Sequence, residues 1–196
     1  MENVTGPVAQ RVARLRYDVY CVERGFVDPA GCPEGCELDE YDRFSIPIAV
    51  EHGSKVVAAL RLVLDSPLGF PLEKRARELY PSYARMEPAR TAEISRLVVA
   101  RSHRDCRALL LKLFKKMYAR SVRLGLTYWL AAMEPALERR LRRLVGIEFT
   151  PVGRSMDYYG EVVPYAAAIP DVERTLEQHR PKLHAYFGMP ARLLVP

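Results

Sequence analysis

The 196-residue sequence lacks any apolar run of the roughly 18–20 residues that a membrane-spanning helix requires. Its first residues, MENVTGPVAQ, lack the basic and then apolar order of a secretory signal peptide. It also lacks internal repeats and low-complexity linkers. Hydrophobic residues make up 49% of the chain and charged residues 28%, which is the composition of a globular domain. We therefore expect a globular protein of the cytoplasm.

Cysteine is scarce, with only four in the chain: Cys21, Cys32, Cys36 and Cys106. Because no export signal is present, we expect reduced thiols rather than disulfides. Cys32 and Cys36 lie in CPEGC, a spacing that could suit a metal. The nearest other candidates, Cys21, His52 and His103, complete no recognised zinc pattern, so we expect no metal site.

Positive charge is in excess, with a net charge of +6 and a pI of about 9.2. The excess is concentrated in RSHRDCRALLLKLFKKMYARSVR and ERRLRRL. Such clusters indicate an acidic partner, either nucleic acid, anionic lipid, a phosphorylated ligand or an acidic protein, unless they are only solvated helix faces. Helix-turn-helix, zinc-finger and RNA-binding signatures are absent, which argues against a nucleic-acid-binding module.

Hydrophobic periodicity predicts one mixed α/β domain. A first helix, with Thr5 as its cap and Gly25 at its end, carries an apolar stripe spaced four, three, four and three apart: Val8, Val12, Leu15, Val19 and Val22. FSIPIAVEHGSKVVAALRLVLD predicts an antiparallel hairpin around Gly53 and Ser54, and Pro47 places its first strand toward a sheet edge.

The rest of the chain alternates helices and strands, so helices should cover both faces of one sheet. The predicted elements are a short helix over 72–79, the strand TAEISRLVVA, a helix over 103–124 ended by Gly125, the strand LTYWLAAM, a helix over 134–145, the strand pair IEFTPVG and VVPYAAAI, and a helix over 171–187. Residues 1–170 are predicted to form the domain, and residues 171–196 a helical appendage of it.

The strand TAEISRLVVA carries two residues that are rarely buried unless paired, Glu93 and Arg96. Side chains alternate along a regular strand, so these two would point to opposite faces unless a bulge lies between them. Other polar signals are Arg16 and Tyr20 in the first helix, an acidic cluster, and Arg61 in an apolar strand. The acidic cluster comprises Glu37, Asp39, Glu40 and Asp42. The set is either a buried ion-pair network, a functional site, or both.

Four motifs together, RLRYDVYCVERGF, CELDEYDRFS, ALRLV and AEISRLVVA, resemble the acyl-homoserine-lactone synthases and the related long-chain N-acyl amino acid synthases. Acyltransferases found beside exosortases are similar too. The resemblance covers about residues 10–160, and the family pattern is matched by Arg16, Tyr20, Phe26, Glu37, Asp39, Asp42, Arg61, Leu62, Glu93, Ser95 and Arg96. It implies a GNAT-like acyltransferase with a mostly antiparallel sheet, helices on both faces and a splayed central strand pair.

Two departures bear on the product. The lactone synthases usually have Trp where this chain has Phe26, and the loop from Phe26 to Asp39 is longer here. Both departures favour an N-acyl amino acid as the product. The alternatives are an acyl-homoserine-lactone (autoinducer) synthase and a coenzyme-A-dependent GNAT N-acetyltransferase.

The resemblance also bears on the acyl donor. GNAT enzymes bind the pyrophosphate of coenzyme A with a glycine-rich turn at the start of the long helix, where this chain has RDCRAL. Arg107 and Leu109 replace small residues there, whereas His103, Arg104 and Arg107 suit the phosphopantetheine arm and acidic surface of an acyl carrier protein. We expect that carrier and an amine or amino acid acceptor as partners, no nucleic acid, no tightly bound cofactor, and membrane contact only through the lipid product.

The same resemblance assigns roles to individual residues. Glu93 is the expected base, and the backbone N–H of Leu97 or Val98 the oxyanion donor, with Arg96 beside them. The expected substrate-binding residues are Arg16, Tyr20, Phe26, Asp39, Asp42, Arg61 and Ser95. Of these, Arg61 should orient a substrate together with Arg96, and Arg16 should pair with Asp39 or Asp42. The acyl tunnel is expected at Phe114, Met117, Tyr128, Trp129 and Met133.

Overall fold

A computed structural model describes residues 6–190. Its strands are β1 (Ser45–His52), β2 (Lys55–Leu64), β3 (Thr91–Val99), β4 (Tyr128–Met133), β5 (Thr150–Pro151), β6 (Met156–Asp157) and β7 (Glu161–Ala168). They form one sheet in the order β1-β2-β3-β4-β7-β5, with β6 also paired to β7. Only the β3–β4 pair is parallel among these strands. The predicted mixed, mostly antiparallel sheet is therefore confirmed.

Helices cover both faces of the sheet, as predicted. They are α1 (Pro7–Tyr17), α2 (Arg107–Arg123), α3 (Pro135–Val145), α4 (Ile169–His179) and α5 (Pro181–Phe187). Along β2, Ala59 packs with α1, whereas its neighbours Ala58 and Leu60 pack in the larger core that includes α2. Because strand side chains alternate, α1 and α2 lie on opposite faces of the same strand.

The hairpin and its edge position are also confirmed. Strands β1 and β2 pair across the turn at Gly53 and Ser54, and β1 is the outer strand of the sheet. Pro47 lies within β1, opposite Arg61. A proline has no N–H to donate, so it is tolerated on an edge strand and not in the middle of a sheet.

The central strand pair is splayed. Strands β3 and β4 pair only from Thr91 to Glu93 on one side and from Tyr128 to Leu130 on the other. Beyond Glu93 the two strands separate while β3 continues to Val99. The separation opens a cleft inside the sheet, between the ends of β3 and β4.

The first helix is shorter than its apolar stripe predicts. The α-helix ends at Tyr17, and a π-helical stretch, Asp18–Glu23, continues it. The wider turn changes the direction of the later side chains, so Val22 is 66% exposed. Val8, which lies at the other end of the helix, is 41% exposed. The predicted cap, Thr5, lies outside the described residues.

Three other helix boundaries were wrong. Instead of a helix over 72–79, the chain forms a 3₁₀ turn, Pro71–Lys74, and then irregular structure. Helix α2 begins at Arg107, so Cys106 precedes it and is exposed. The final helix is broken at Arg180, because Pro181 cannot donate the next intrahelical hydrogen bond. The division of the domain at residue 170 stays a prediction, and residues 191–196 lie outside the described part.

Gly146 ends α3 in the left-handed conformation, with φ of +78°. A Cβ added there would lie 2.7 Å from Leu176 Cδ2, in the buried core. We therefore expect Gly146→Ala to lower the free energy of unfolding by at least about 1 kcal/mol, since the left-handed conformation alone costs an L-residue about 1–2 kcal/mol. Urea denaturation followed by circular dichroism measures the change.

Gly31→Ala is the matched control for that substitution, because a Cβ at Gly31 meets nothing within 4 Å. It should change stability by less than about 0.5 kcal/mol. Equal effects of the two substitutions would contradict the role assigned to Gly146.

Candidate active site

A bulge in β3 explains how Glu93 and Arg96, three positions apart on one strand, can both reach the same cavity. Against β2, Ala59 pairs with Val98 and Arg61 with Ser95, so β3 contains one residue more than its partner. Arg96 has a positive φ of 53°, which is rare for a residue other than glycine. The regular alternation fails at this point, and both Glu93 and Arg96 reach the same cavity. Of the two alternatives that the sequence left open, a regular strand or a bulge, the structure has the bulge.

That cavity lies in the cleft between β3 and β4 and has a volume of about 190 Å³. One wall is continuous β3 backbone from Glu93 to Leu97. The other wall is apolar and comes mainly from β4, α2, α3 and the closing strands, through Phe114, Ala131, Met133, Leu137, Leu141, Phe149 and Val162. A polar wall facing an apolar one suits a substrate that carries a reacting polar group on an apolar chain.

Three arginines and three carboxylates form a closed network behind the polar wall. Arg16 donates from Nε to Glu37, at 2.5 Å, and from Nη1 to Asp42, at 2.6 Å. Arg61 donates to both oxygens of Asp39, at 2.6 and 2.8 Å, and lies 3.0 Å from Asp42. We call these residues, together with Arg96, the six-residue network.

Arg96 completes the network from the cavity side. Its Nη2 lies 3.0 Å from Glu37 and 2.9 Å from Asp39. Arg16 and Glu37 are each 2% exposed, and only Arg96 and Asp39 retain side-chain exposure above 10%. Three positive and three negative charges cancel, so each buried charge has a partner, as burial requires. The pairing predicted between Arg16 and Asp42 is present, whereas Arg16 binds Glu37 rather than Asp39.

The arginines of the network keep Asp39 and Asp42 ionised. Burial alone would raise the pKa of Asp39, but the hydrogen bond and charge of Arg61, with Arg96 and Arg16, lower it to about 2. The same balance of burial against Arg16 and Arg61 lowers the pKa of Asp42. Because both pKa values are lowered on folding, this stabilisation is present above about pH 4 and is lost as the pH falls toward 2.

Glu93 lies outside the network and has a different environment. Its side chain is buried, and Oε2 accepts a 2.9 Å hydrogen bond from the backbone N–H of Leu72 in the 3₁₀ turn. Burial raises the pKa of Glu93 to about 8, although the Leu72 N–H and the charge of Arg61 oppose the rise. A buried carboxyl group that titrates near neutrality inside a cavity is a candidate for proton transfer.

Four aromatic rings surround the cavity mouth. Phe26 stacks on Tyr159 at 5.2 Å, and Tyr20 donates a 3.4 Å hydrogen bond to the carbonyl of Leu97. Arg96 Nη1 lies 3.5 Å from the hydroxyl of Tyr158. The sequence indicated Tyr20 and Phe26 but missed the two tyrosines. Their only signal is the turn Tyr-Tyr-Gly before β7, in which Tyr159 takes a positive φ of 56°.

The structure brings together only part of the predicted acyl tunnel. Phe114 and Met133 line the cavity. Met117 and Trp129 point into the core under α2, where the Trp129 indole donates to Ser121 Oγ at 2.9 Å, and Tyr128 lines a separate cleft near α4. Adjacent β4 side chains alternate between faces, so the run TYWLAAM could not place all its large residues in one tunnel.

The predicted carrier-binding residues precede or begin α2. Arg104 pairs with Glu23, Arg107 donates to the Leu144 carbonyl at 3.2 Å, and Arg140 of α3 donates to the Arg104 carbonyl at 3.3 Å. The imidazole of His103 lies 3.2 Å from that of His52. The beginning of α2 and the helix α3 therefore share one exposed basic surface.

Within residues 6–190, no group of three or more His, Cys, Asp or Glu side chains could hold a metal ion. All four cysteines are free thiols, and Cys21 Sγ lies 3.6 Å from Cys32 Sγ. No helix of the described part is long and apolar enough to cross a membrane.

Comparison with known protein families shows which family contains this arrangement of residues. The family described as N-acyl amino acid synthase FeeM matches residues 11–167. The chain belongs to this family. It is therefore an acyltransferase, and the matched residues contain the six-residue network, Glu93 and the whole β3 bulge.

Solved structures agree with the family. A coenzyme-A-dependent acyl-homoserine lactone synthase, BjaI, with SAM and isopentyl-CoA, is 25% identical with a TM-score of 0.70, over 94% of this chain and 83% of BjaI. FeeM from uncultured soil microbes is 15% identical with a TM-score of 0.63, over 87% of this chain and 96% of FeeM. The acyl-homoserine lactone synthase LasI is 15% identical with a TM-score of 0.66, over 94% and 90%. At 15% identity, the last two show the fold alone. No curated protein sequence matches the chain significantly.

The network predicts a strong dependence of folding on Arg61, which is 2% exposed and has two carboxylate partners. Arg61→Met should lower the free energy of unfolding by about 3–5 kcal/mol, because it leaves buried carboxylates without a cation. Guanidinium denaturation of the purified variants measures the loss.

Arg154→Met is the control, since Arg154 and its partner Glu78 form an exposed pair with side-chain exposures of 72% and 52%. That substitution should cost less than about 1 kcal/mol. A loss at Arg61 no larger than the loss at Arg154 would show that the buried network does not hold the fold together.

Proposed function

We propose that this acyltransferase moves a long acyl chain from an acyl carrier protein thioester to the amine of an amino acid, forming an N-acyl amino acid. The observation that carries the proposal is the cavity in the β3–β4 cleft, where Glu93 and the bulged β3 backbone face an apolar wall. In the reaction, an N–C bond forms, the C–S bond of the thioester breaks, and the amine proton passes through a base to the departing thiolate.

Glu93 is the proposed base. Only a neutral amine attacks a thioester, and an α-amino group is largely protonated below its pKa of about 8. The pKa of Glu93, raised to about 8 by burial, makes its carboxylate a stronger proton acceptor than an exposed glutamate. Because Leu72 N–H fixes Oε2, the other oxygen, Oε1, is available to the amine or to a water between them.

The backbone N–H of Leu97 is the proposed oxyanion donor. Leu97 lines the cavity directly after Arg96, the residue with positive φ in the bulge. Val98 was the other candidate, but its side chain is buried among the residues under α1 and it does not line the cavity. A fixed N–H directed at the developing oxyanion lowers the barrier because it needs no reorganisation during the reaction.

Arg16, Arg61 and Asp42 take a positioning role in this proposal rather than binding substrate. Arg61 was expected to orient a substrate group, but it is buried, does not line the cavity, and its guanidinium is occupied by Asp39, Asp42 and Ser95. Arg96, Ser95, Tyr20 and Phe26 do line the cavity and remain candidates for substrate contact.

Two rival activities differ from the proposal, one in its acceptor and product and the other in its acyl donor. An acyl-homoserine lactone synthase shares the fold, as BjaI and LasI show, and would give a lactone. An enzyme that takes coenzyme A thioesters is the second rival, since BjaI and MesI are both described as coenzyme-A-dependent. Phe26 and the basic surface beside α2 support the amino acid and carrier-protein assignments. Mass spectrometry of products from acyl carrier protein, acyl-coenzyme A and a panel of amino acids separates all three.

The base assignment predicts a specific pH dependence. Glu93 is protonated below its pKa of about 8, so turnover should rise with pH, reach half its maximum near pH 8 and level off about one pH unit higher. Glu93→Gln should lower turnover by about 10²-fold or more, because general-base catalysis is typically worth about 10²–10⁴. Steady-state kinetics across pH 6–10 at saturating donor measures both effects.

The acceptor amine titrates in the same range, and the Gln variant provides the control. Any inflection that belongs to the amine remains in Glu93→Gln, whereas the inflection of Glu93 disappears. Undiminished turnover in a folded Gln variant would remove Glu93 from the mechanism.

The donor assignment predicts that Arg107→Glu raises the KM for acyl carrier protein by about tenfold at low salt, with a smaller effect as salt rises. Arg107 is exposed on the basic surface shared by α2 and α3. A short acyl-pantetheine donor lacks the acidic protein, so its KM should scarcely change. Initial rates with each donor measure the difference.

Arg123→Glu reverses an equally exposed charge at the opposite end of α2, about 24 Å away at 1.5 Å per residue, and should leave both KM values unchanged. A wild-type preference for coenzyme A thioesters, or equal damage from Arg123→Glu, would contradict carrier-protein docking at this surface.

A further inference from the structure

Among residues 6–190, the cavity is lined by no cation that lacks an ion pair. Its charged lining residues are Glu93, Arg96 and Glu134. The guanidinium of Arg96 already donates to Glu37, Asp39 and Tyr158, and the other two are acidic. An amino acid acceptor differs from a simple amine by its carboxylate, so recognition of that group requires a cation at the edge of the cavity.

Arg75 occupies that position. Its guanidinium lies 4.9 Å from the ring centroid of Tyr158, whose side chain lines the cavity and whose hydroxyl contacts Arg96. Stacking on an aromatic ring restricts a guanidinium without using its N–H groups, so they remain available to a planar carboxylate. No ion pair of Arg75 is present within residues 6–190.

Three neighbouring charges, those of Glu73, Lys74 and Glu78, are already engaged, so they do not pair with Arg75. Lys74 pairs with Glu40 at 2.6 Å, and Glu78 pairs with Arg154 at 2.9 Å. The Glu73 carboxylate accepts hydrogen bonds from the Phe70 N–H and the Tyr83 hydroxyl. Arg77 also has no ion pair within residues 6–190, but it has no cation–π contact with a ring that lines the cavity.

The backbone holds Arg75 in register with Glu93. The Arg75 N–H donates to the Leu72 carbonyl at 3.1 Å, and the Leu72 N–H donates to Glu93 at 2.9 Å. Leu72 is 1% exposed, so the turn is anchored in the core. One short segment therefore places the candidate base and a stacked, unpaired guanidinium beside the same cavity.

From this arrangement we infer that Arg75 binds the carboxylate of the amino acid acceptor and sets the preference for an amino acid over a simple amine. The inference rests on the proposed function and names the residue and the chemical group that decide the acceptor. Arg24 is the competing cation at the mouth, because its guanidinium lies 6.0 Å from the Phe26 ring. It is farther from its ring and has no link to the turn that binds Glu93.

The test compares two acceptors in one assay: the amino acid that the wild-type enzyme acylates fastest among the twenty standard ones, and the α-carboxamide of that amino acid. Arg75→Gln should raise the KM for the amino acid by about tenfold or more, which is the range of a hydrogen-bonded charge. It should leave the KM for the carboxamide and for the acyl donor within about twofold. Arg75→Lys, which retains the charge, should recover part of the loss.

Two further variants, Arg77→Gln and Arg24→Gln, complete the test. Arg77→Gln removes an exposed arginine two residues along the same segment and should change neither acceptor KM. An unchanged amino acid KM in Arg75→Gln, equal losses for acid and carboxamide, a raised donor KM, or a selective loss in Arg24→Gln instead would each overturn the inference. A wild-type enzyme that acylates no amino acid with any thioester would overturn the proposed function itself, and with it the inference.

Discussion

The pairing of three buried arginines with three buried carboxylates is the constraint on which the site depends. A charge in the interior costs several kcal/mol unless a partner with good geometry compensates for it, so none of the six groups can move alone. The carboxylates come from the segment Glu37 to Asp42, and the arginines from α1, β2 and β3. The network therefore fastens the first helix and the following loop across the sheet. This is also why an irregular loop rich in acids has a fixed position.

The network also accounts for the unusual backbone of β3. A positive φ at Arg96 is unfavourable for an L-residue by about 1–2 kcal/mol. The cost is offset by the contacts that this conformation allows, since the guanidinium binds Glu37 and Asp39 while the strand continues along β2. The bulge in turn ends the regular pairing that would occupy the Leu97 backbone. Charge pairing, backbone strain and the interrupted strand pairing at Leu97 are thus parts of one arrangement.

Sequence patterns predicted the elements with strong local signals and failed where tertiary contacts decide. The hairpin, Pro47 at the edge and the glycine ends of α2 and α3 each follow from a few adjacent residues, whereas the β3 bulge was only one of two possibilities. The π-helical continuation after Tyr17 has no periodic signature, because the same valines fit an ordinary helix. The sequence grouped Trp129 with Met133, and alternation does put both on one face of β4, but Trp129 lies where β4 still pairs with β3 and only Met133, farther along the strand, reaches the cavity.

The residues of the candidate active site could likewise be predicted only in part. The charged members were recognisable because a guanidinium or carboxylate inside an apolar strand demands a partner. Which partner it finds is a property of the assembled sheet: Arg61 binds Asp39 and Asp42 and is closed off from the cavity. No comparable signal in the sequence indicated Tyr158 and Arg75, since a tyrosine in a turn and an arginine in a loop are ordinary surface residues. Their juxtaposition with Glu93 exists only after β7 and the 3₁₀ turn meet across the cleft.

Glu93 has a raised pKa although two arginines of the network lie nearby. Burial of the side chain outweighs the charges of Arg61 and Arg96, which act to lower that pKa, and the charge of Glu73 adds to the rise, so the pKa of Glu93 is raised to about 8. That value lies close to the pKa of about 8 for an α-amino group, so proton transfer between the two is nearly balanced in free energy. A balanced transfer avoids both a base too weak to accept the proton and one too strong to release it to the departing thiolate. In the proposed mechanism, burial of Glu93, opposed in part by Arg61 and Arg96, therefore sets the proton affinity of the base.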